Sequence, residues 1–264
     1  MIVAGCDIGS VTAKAVIMID RKLVEYLVIK EDSGPEQSAK KVLEAVLAKA
    51  KLSINEIQYC IGTGYGRKKI PFANDVISEI ACHGKAVKWL LPSVKTIIDV
   101  GGQDAKAIRL DENGNVTRYA YNDKCASGTG RFLEIMAMAL GIKMEDLGQI
   151  SLRSENPIKI SNQCTVFAET EMISQMNNGA NIPDLVNGLH RGMAHRVASL
   201  AMNIGVEKDV AMSGGVAKNI GMYKALENVL AIDFVKTESD PQINGALGAA
   251  LFAEEALNEK TWVI

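Results

Sequence analysis

Short apolar runs separated by glycine, proline and charged turns fill the first third of the chain. IVAGCDI, AKAVIMI and KLVEYLVI predict three strands within the first 30 residues, and IQYCIGTG predicts a fourth. Apolar residues recur at helical spacing in GPEQSAKKVLEAVLAKA and in ANDVISEIACHGKAVKWL. Each of these two stretches therefore predicts an amphipathic helix, and Pro92 ends the second one.

The same pattern then starts again. VKTIIDVG, AKAIRLD and NVTRYAYN predict three more strands, and helices are expected from about Gly128 and from about Phe167. A long helix is predicted across DLVNGLHRGMAHRVASLAMNIG, where we interpret His190 and His195 as surface or core residues. KDVAMSGG predicts a strand, AKNIGMYKALENVL a helix, AIDFVKT a strand and NGALGAALFAEEAL a closing helix. This alternation of strands and helices predicts an α/β fold.

The restart is visible letter by letter. DIGSVTAKAVI begins at Asp7 and DVGGQDAKAIR begins at Asp99, and aligned without a gap both contain Asp, an apolar residue, Gly and then Ala-Lys-Ala. The spacing from Asp to Lys is seven residues in each, Asp7 to Lys14 and Asp99 to Lys106. A match at the same point of two successive strand–turn–strand units indicates internal duplication. We therefore expect one half over residues 1–94 and a second over residues 95–241.

Composition and charge exclude several classes of function. The 264 residues are 48% hydrophobic and 23% charged, and the formal net charge is −2. A nucleic-acid-binding protein needs clustered excess Lys and Arg, so we expect no nucleic-acid partner. No apolar run approaches the roughly 20 residues of a membrane-spanning helix, so we expect no membrane partner. The N-terminus MIVAGCDIGS lacks the basic flank of a signal peptide, which predicts a cytoplasmic protein.

The turn after the first strand carries candidate nucleotide chemistry. DIGSVT combines glycine with small hydroxyl residues, so backbone N–H groups can approach a phosphate closely. Asp7 would repel a bare phosphate, and we expect Mg²⁺ between the two. DVGGQD repeats this arrangement with Asp99 as a second Mg²⁺ candidate, and Gln103 or Asp104 is expected to position an attacking water. MSGGVAKN is a third glycine turn, expected near the adenosine or the α-phosphate.

These turns predict a cleft for a nucleotide between the two halves. Asp7, Gln103 and Asp104 are the candidate catalytic residues. Two roles stay open for Lys14 and Lys106: contact with phosphates, or structural ion pairs with the nearby carboxylates. The candidate nucleotide-binding residues are Gly9, Ser10, Val11, Thr12, Ala13, Lys14, Gly101, Gly102, Gln103, Asp104, Gly214, Gly215, Ala217 and Gln242.

The three turns resemble those of the actin, sugar-kinase and heat-shock-protein ATPase superfamily, in which two ribonuclease-H-like halves close on ATP and Mg²⁺. More narrowly, GCDIGSVTAK, GTGYGR, DVGGQD, NDKCASGTGRFLE, CTVFAETE, SGGVAKN and NGALGAAL resemble the ATP-dependent activators of 2-hydroxyacyl-CoA dehydratases. That family also holds ATPase subunits of benzoyl-CoA reductases and reductases of double-cubane cluster proteins. The resemblance covers nearly the whole chain. It implies that residues 242–264 form a C-terminal helix that packs back on the first half.

Five cysteines are scattered along the chain without a CxxC motif, which argues against a disulfide framework and a zinc ribbon. Cys125 and Cys164 each precede a predicted helix, whose N-terminus favours the thiolate form. On the residues alone, a structural or incidental role is the preferred one for both. The family resemblance instead implies one [4Fe–4S] cluster per homodimer, held by Cys125 and Cys164 of each subunit.

The resemblance also implies the function. The expected protein binds and hydrolyses ATP to ADP and drives one-electron transfer to a partner iron–sulfur dehydratase or reductase, with ferredoxin or flavodoxin as electron donor, in an anaerobic setting. Relatives commonly have threonine where this chain has Val11, so a hydroxyl contact is missing from the first turn. Two alternatives remain open: a small-molecule kinase of the same fold, and a non-redox actin-like ATPase, both with incidental cysteines.

Overall fold

The computed structural model describes residues 1–160 and 164–261. Their strands are β1 (Ile2–Ile8), β2 (Thr12–Ile19), β3 (Lys22–Lys30), β4 (Tyr59–Thr63), β5 (Asp75–Val76), β6 (Thr96–Val100), β7 (Ala105–Leu110), β8 (Val116–Asn122) and β9 (Val210–Ser213). Their α-helices are α1 (Pro35–Ala50), α2 (Glu79–Leu90), α3 (Gly130–Leu140), α4 (Leu147–Ser151), α5 (Thr165–Asn177), α6 (Ile182–Ile204), α7 (Ile220–Leu230) and α8 (Asn244–Thr261). Within this part of the chain, no helix has the length and hydrophobicity to cross a bilayer.

The chain divides into two compact units. The first unit contains Met1–Ser93, Leu110–Val116 and the chain from Thr237 onward. The second unit contains Val94–Arg109 and Thr117–Lys236. Each unit has its own sheet, in the order β3-β2-β1-β4-β5 for the first and β8-β7-β6-β9 for the second.

The two sheets share one topology. In the first unit β1 is antiparallel to β2 and parallel to β4, and in the second unit β6 is antiparallel to β7 and parallel to β9. An antiparallel hairpin followed by a parallel neighbour on its other side is therefore present twice. The turn between β2 and β3 fits a tight hairpin, since Asp20 and Arg21 both have positive φ, at 47° and 62°.

Helices cover both faces of the first sheet because side chains alternate along its strands. Ala4, Cys6 and Ile8 of β1 pack against α1 in one apolar cluster. Val3 faces the opposite side, where α2 and α8 pack. The helices of the second unit bury one continuous apolar core with the inner residues of β6 and β7.

Two predicted elements are wrong. The stretch ANDVISEIACHGKAVKWL is not one helix: Asp75 and Val76 pair in parallel with β4, and α2 begins only after Ser78, whose hydroxyl accepts a hydrogen bond from the Ile80 N–H at 3.3 Å. The predicted strand AIDFVKT is reduced to a single bridge between Val235 and Ala211. In addition, the sequence did not predict the short helix α4.

Glycines let α8 lie directly on its neighbours in the first unit. A Cβ at Gly5 of β1 would lie 1.9 Å from the carbonyl oxygen of Ala246, and a Cβ at Gly248 would lie 1.9 Å from the carbonyl oxygen of Cys82. Both obstacles are backbone atoms, which cannot rotate away. The α8–β1 and α8–α2 contacts therefore depend on the absence of a side chain at these positions.

Gly248→Ala is expected to destabilise the protein although alanine is the better helix former. The overpacking places a methyl group against the backbone of α2, and the free energy of unfolding should fall by about 3 kcal/mol or more. Urea denaturation measures this free energy, and Asn258→Ala, which changes an exposed residue of α8, is the control. A Gly248→Ala protein as stable as Asn258→Ala would contradict the close packing of α8.

One histidine is enclosed in the core of the second unit. His190 of α6 is 1% exposed, and its Nε2 lies 3.2 Å from the side-chain nitrogen of Asn219. Burial disfavours the charged imidazolium and lowers the pKa of His190 to about 4 from an ordinary value of 6.5. The folded protein therefore keeps this ring neutral at neutral pH.

The buried ring predicts a loss of stability in mild acid. Between about pH 6.5 and pH 4 the folded state binds fewer protons at His190 than the unfolded state, so the stabilisation decreases as the pH falls. At about 1.4 kcal/mol per pKa unit, the loss over this window is about 3 kcal/mol. The free energy of unfolding measured against pH should be flatter for His190→Gln than for the wild type. Parallel curves would contradict a depressed pKa of His190.

Candidate functional site

An ion pair ties the end of β1 to the start of β2 below the first glycine turn. Asp7 and Lys14 are cross-strand partners, and Lys14 Nζ lies 3.0 Å from Asp7 Oδ2. Both side chains are buried. The Gly9 N–H donates to the carbonyl of Thr12 at 3.1 Å and closes the turn. Lys14 is thus in an ion pair with Asp7, and the turn projects beyond the pair.

The second unit repeats this arrangement. Asp99 of β6 and Lys106 of β7 are cross-strand partners, with Lys106 Nζ 3.4 Å from Asp99 Oδ2, and Lys106 also pairs with Asp104. The Gly101 N–H donates to the carbonyl of Asp104 at 2.9 Å, the same turn contact as in the first unit. The letter-by-letter match in the sequence therefore corresponds to a repeated geometry.

A glycine with positive φ follows the neighbouring parallel strand in each unit. Thr63 is the register partner of Asp7, and the next residue, Gly64, has φ +86°. Ser213 is the register partner of Asp99, and the next residue, Gly214, has φ +83°. A Cβ would lie 2.3 Å from Asp7 Oδ1 at Gly64 and 2.8 Å from Asp99 Oδ1 at Gly214. Each carboxylate is thus enclosed between a lysine and a glycine turn.

Gly64 and Thr63 had no predicted role. The signal for them was available, because GTG ends a predicted strand in the first unit as SGG does in the second. What the sequence did not indicate was the parallel pairing of β4 with β1, which brings Gly64 to Asp7.

The remaining predicted residues of the first turn lie around it. Ser10, Val11 and Thr12 are half-buried, whereas the Ala13 side chain is buried in the apolar cluster under α1, so only its backbone faces the turn. Gln242 Nε2 lies 3.5 Å from Thr12 Oγ1 and brings the segment before α8 to this turn.

In the second unit, the predicted residues differ in their exposure to solvent. Gln103 is exposed at the tip of the turn, while Asp104 is 6% exposed and engaged by Lys106. Gly215 and Ala217 are half-buried in a 3-10 turn, Gly215–Lys218, that follows Gly214.

The second turn is tied directly to helix α3. The N–H groups of Gly130 and Arg131, at the start of this helix, donate to the carbonyls of Gly101 and Gly102 at 2.9 and 2.7 Å. These are first-turn N–H groups, which have no partner within their own helix. The turn that carries Gln103 is therefore hydrogen-bonded to the beginning of α3.

The cysteines fall into two groups. Cys6, Cys60 and Cys82 are buried, and burial raises the pKa of Cys6 well above its usual value and that of Cys60 and Cys82 to about 12, which keeps these thiols protonated. Cys125 and Cys164 are partly exposed. They are therefore the thiols available to a metal or a cluster.

Only one of these two cysteines begins a helix. Cys164 is the N-cap of α5, and its carbonyl accepts from the Ala168 N–H at 2.9 Å. Cys125 precedes α3, as predicted, but the helix begins five residues after it, at Gly130, rather than at about Gly128. Cys125 instead lies in a loop, where its carbonyl accepts from Asn122 Nδ2 at 2.8 Å. α3 and α5 pack against each other.

The donor set fits a cluster shared between chains. In residues 1–160 and 164–261, no group of three or more His, Cys, Asp or Glu side chains could hold a metal ion. A tetracysteine iron–sulfur cluster needs four thiolates, and two accessible cysteines supply half of them. A second subunit with the same pair would complete the set.

The sequence and fold have close relatives. The chain is 44% identical over 264 residues to the activator of lactoyl-CoA dehydratase from Anaerotignum propionicum, covering 98% of this chain and 100% of that protein. It is 43% identical over 251 residues to the (R)-2-hydroxyglutaryl-CoA dehydratase activating ATPase of Acidaminococcus fermentans, covering 94% and 95%. The solved structure of the activator of 2-hydroxyisocaproyl-CoA dehydratase from Clostridium difficile, with bound ADPNP, matches with TM-score 0.95 and 42% identity over 100% of this chain and 98% of that one.

The two mixed sheets, the repeated strand-end carboxylates and this match establish an actin-like ATPase fold. The model of the BadF/BadG/BcrA/BcrD ATPase family matches residues 4–253, nearly the whole chain. The chain therefore belongs to the BadF/BadG/BcrA/BcrD ATPase family.

Proposed function

We propose that this protein is an ATP-dependent reductive activator that passes single electrons to a 2-hydroxyacyl-CoA dehydratase. The observation that carries the proposal is the pair Cys125 and Cys164: they are the accessible thiols and stand ahead of two helices that pack together. In a homodimer, these cysteines and the same two from the second subunit would hold one [4Fe–4S] cluster. When bound, the cluster supplies a one-electron reductant.

The glycine turns are the proposed nucleotide contacts. The N–H groups of Gly9 and Gly101 close the two turns, so the backbone N–H groups of Ser10 to Thr12 and of Gly102 and Gln103 would bind the phosphates of ATP. Gly214 to Ala217 would bind the nucleoside side, with Gln242 near the first turn. Val11 contributes its backbone where a hydroxyl is absent. Asp7 and Asp99 would hold Mg²⁺ through its water shell. Their lysine partners fix both carboxylates in place.

Gln103 is the better candidate for positioning the attacking water. Its side chain is exposed at the tip of the turn, whereas the Asp104 carboxylate is occupied by Lys106 below it. A side-chain amide cannot accept the proton of the water, so it would orient the nucleophile without acting as a base.

The contact between the second turn and α3 supports the coupling. Phosphates bound at Gly102 and Gln103 would shift the carbonyls of Gly101 and Gly102, which accept hydrogen bonds from Gly130 and Arg131. The loop with Cys125 leads directly into this helix start, so the exchange of ATP for ADP would alter the position of Cys125. Coupling of this kind requires two arrangements of one element with different affinities for ATP and ADP.

The partner class follows from the relatives. The curated relatives at 44% and 43% identity are named for dehydratase activation, so we propose a 2-hydroxyacyl-CoA dehydratase as acceptor. Ferredoxin or flavodoxin as donor and a cytoplasmic, anaerobic setting complete the proposal. An aromatic acyl-CoA reductase is the second acceptor class, since the chain is 32% identical to one of the subunits of benzoyl-CoA reductase from Thauera aromatica.

Anaerobically purified protein is expected to contain about two irons and two acid-labile sulfides per chain, the content of one four-iron cluster shared by two chains. Cys125→Ala and Cys164→Ala should each lose this content. Cys82→Ala, which removes a buried thiol, is the matched control and should keep it. Iron retained in both Cys125→Ala and Cys164→Ala would place the cluster elsewhere, and a wild type without iron would favour the kinase or the non-redox ATPase.

Gln103→Ala is expected to lower kcat for ATP hydrolysis by about a hundredfold, because the water loses its orienting group. Asn113→Ala, in the exposed turn between β7 and β8, is the control and should hydrolyse ATP at the wild-type rate. Asp104→Asn should mainly lower stability, since it weakens the buried pair with Lys106. A stable Asp104→Asn protein without hydrolysis, beside an active Gln103→Ala, would reverse the two roles.

The function itself is tested by adding the cluster-loaded protein, ATP, Mg²⁺ and reduced ferredoxin to a resting 2-hydroxyacyl-CoA dehydratase. Dehydration of the hydroxyacyl-CoA should begin only when all components are present and should be absent with Cys125→Ala. Dehydratase activity that appears equally without ATP would contradict the proposal.

A further inference from the structure

A buried polar contact joins α6 to α7 in the second unit. Asn219 is the N-cap of α7, and its Oδ1 accepts a hydrogen bond from the Met222 N–H at 3.0 Å. This fixes the orientation of the amide, so its Nδ2 is the atom that lies 3.2 Å from His190 Nε2. An amide nitrogen can only donate, and Nε2 must therefore accept. His190 is thus the neutral tautomer with its proton on Nδ1.

If His190 only filled space in the core, it would stabilise the fold less than an aliphatic side chain of similar size. It is surrounded by the apolar core of the second unit, and within the described residues its Nδ1 has no hydrogen-bond partner. A buried donor without a partner destabilises a fold, whereas an aliphatic side chain of similar size would not. The benefit of a histidine here is its Nε2, the atom that meets Asn219.

Helices α4 and α7 each place a glycine against this contact. A Cβ at Gly221 would lie 2.6 Å from His190 Nδ1, and a Cβ at Gly148 of α4 would lie 2.9 Å from Asn219 Oδ1. Glycines at both points allow α4 and α7 to approach the pair. The position of Asn219 is therefore set from three helices.

Asn219 is also the end of the third glycine turn. Its N–H donates to the carbonyl of Val216 at 2.9 Å, and the Ala217 N–H donates to the carbonyl of Gly214 at 3.2 Å. Gly214 in turn fits closely over β6, where a Cβ would lie 2.4 Å from the carbonyl oxygen of Val100. A displacement of Asn219 is thus passed along a short, hydrogen-bonded turn to the residues beside Asp99.

We infer that His190 is a positioning residue for nucleotide binding: through Nε2 it holds Asn219, and through Asn219 it holds the Gly214–Ala217 turn in the shape that contacts the nucleoside side of ATP. This inference rests on the proposed role of that turn. It assigns no contact between His190 and the nucleotide, since the ring is enclosed in the core.

Two substitutions separate the hydrogen bond from the packing. His190→Leu keeps a side chain of similar bulk and removes the acceptor, while His190→Gln offers a carbonyl oxygen to Asn219. Met193→Ala, which opens a cavity at another buried position of α6, is the control for a general loss of stability. Titration calorimetry with ADP and with a non-hydrolysable ATP analogue gives Kd for each protein, and hydrolysis assays give KM and kcat.

His190→Leu is expected to raise Kd and KM for ATP about fivefold, with a smaller change in kcat, as for the loss of one neutral hydrogen bond. His190→Gln should restore Kd to within about twofold of the wild type, and Met193→Ala should leave it unchanged although it is less stable. Wild-type affinity in His190→Leu, or an equal rise in Met193→Ala, would overturn the inference. Wild-type protein that binds no ATP would instead overturn the proposed function, so the two failures are distinguishable.

Discussion

The cross-strand pair of aspartate and lysine at the end of the first hairpin is the constraint on which each unit depends. Asp7 and Asp99 are buried, and a buried carboxylate without a partner would be strongly destabilising. Lys14 and Lys106 supply that partner from the adjacent strand. The pair fixes the strand register, because a shift of one strand by one residue would place the two charges on opposite faces of the sheet.

This constraint explains why the glycines stand where they do. A carboxylate held at a strand end leaves no space for a side chain on the next parallel strand, so Gly64 and Gly214 follow β4 and β9. The same two positions need positive φ, which glycine adopts without strain. In each unit a fixed negative charge thus lies beside a glycine turn, which suits a phosphate only when a cation is present.

Local patterns predicted most strands and helices, and the repeated turns, because alternation, helical spacing and turn residues are properties of adjacent positions. They failed where tertiary contacts decide. Asp75 and Val76 form a strand only because β4 lies beside them, and Val235 lacks enough partners to extend its bridge. The contact of His190 with Asn219 joins positions 29 residues apart, so no local pattern indicates it. The motif around Cys125 predicted a helix from about Gly128, whereas the loop continues and the helix begins at Gly130.

The loop position of Cys125 has a physical reason of its own. A cysteine on a packed helix moves only with the helix, whereas a loop anchored at Asn122 and at the start of α3 can respond to either anchor. One anchor, Gly130, is bonded to the second glycine turn, and Cys164 caps a helix that packs on α3. In the proposed coupling, a change at the turn would therefore reach Cys125 through hydrogen bonds and Cys164 through the packing of α5 on α3.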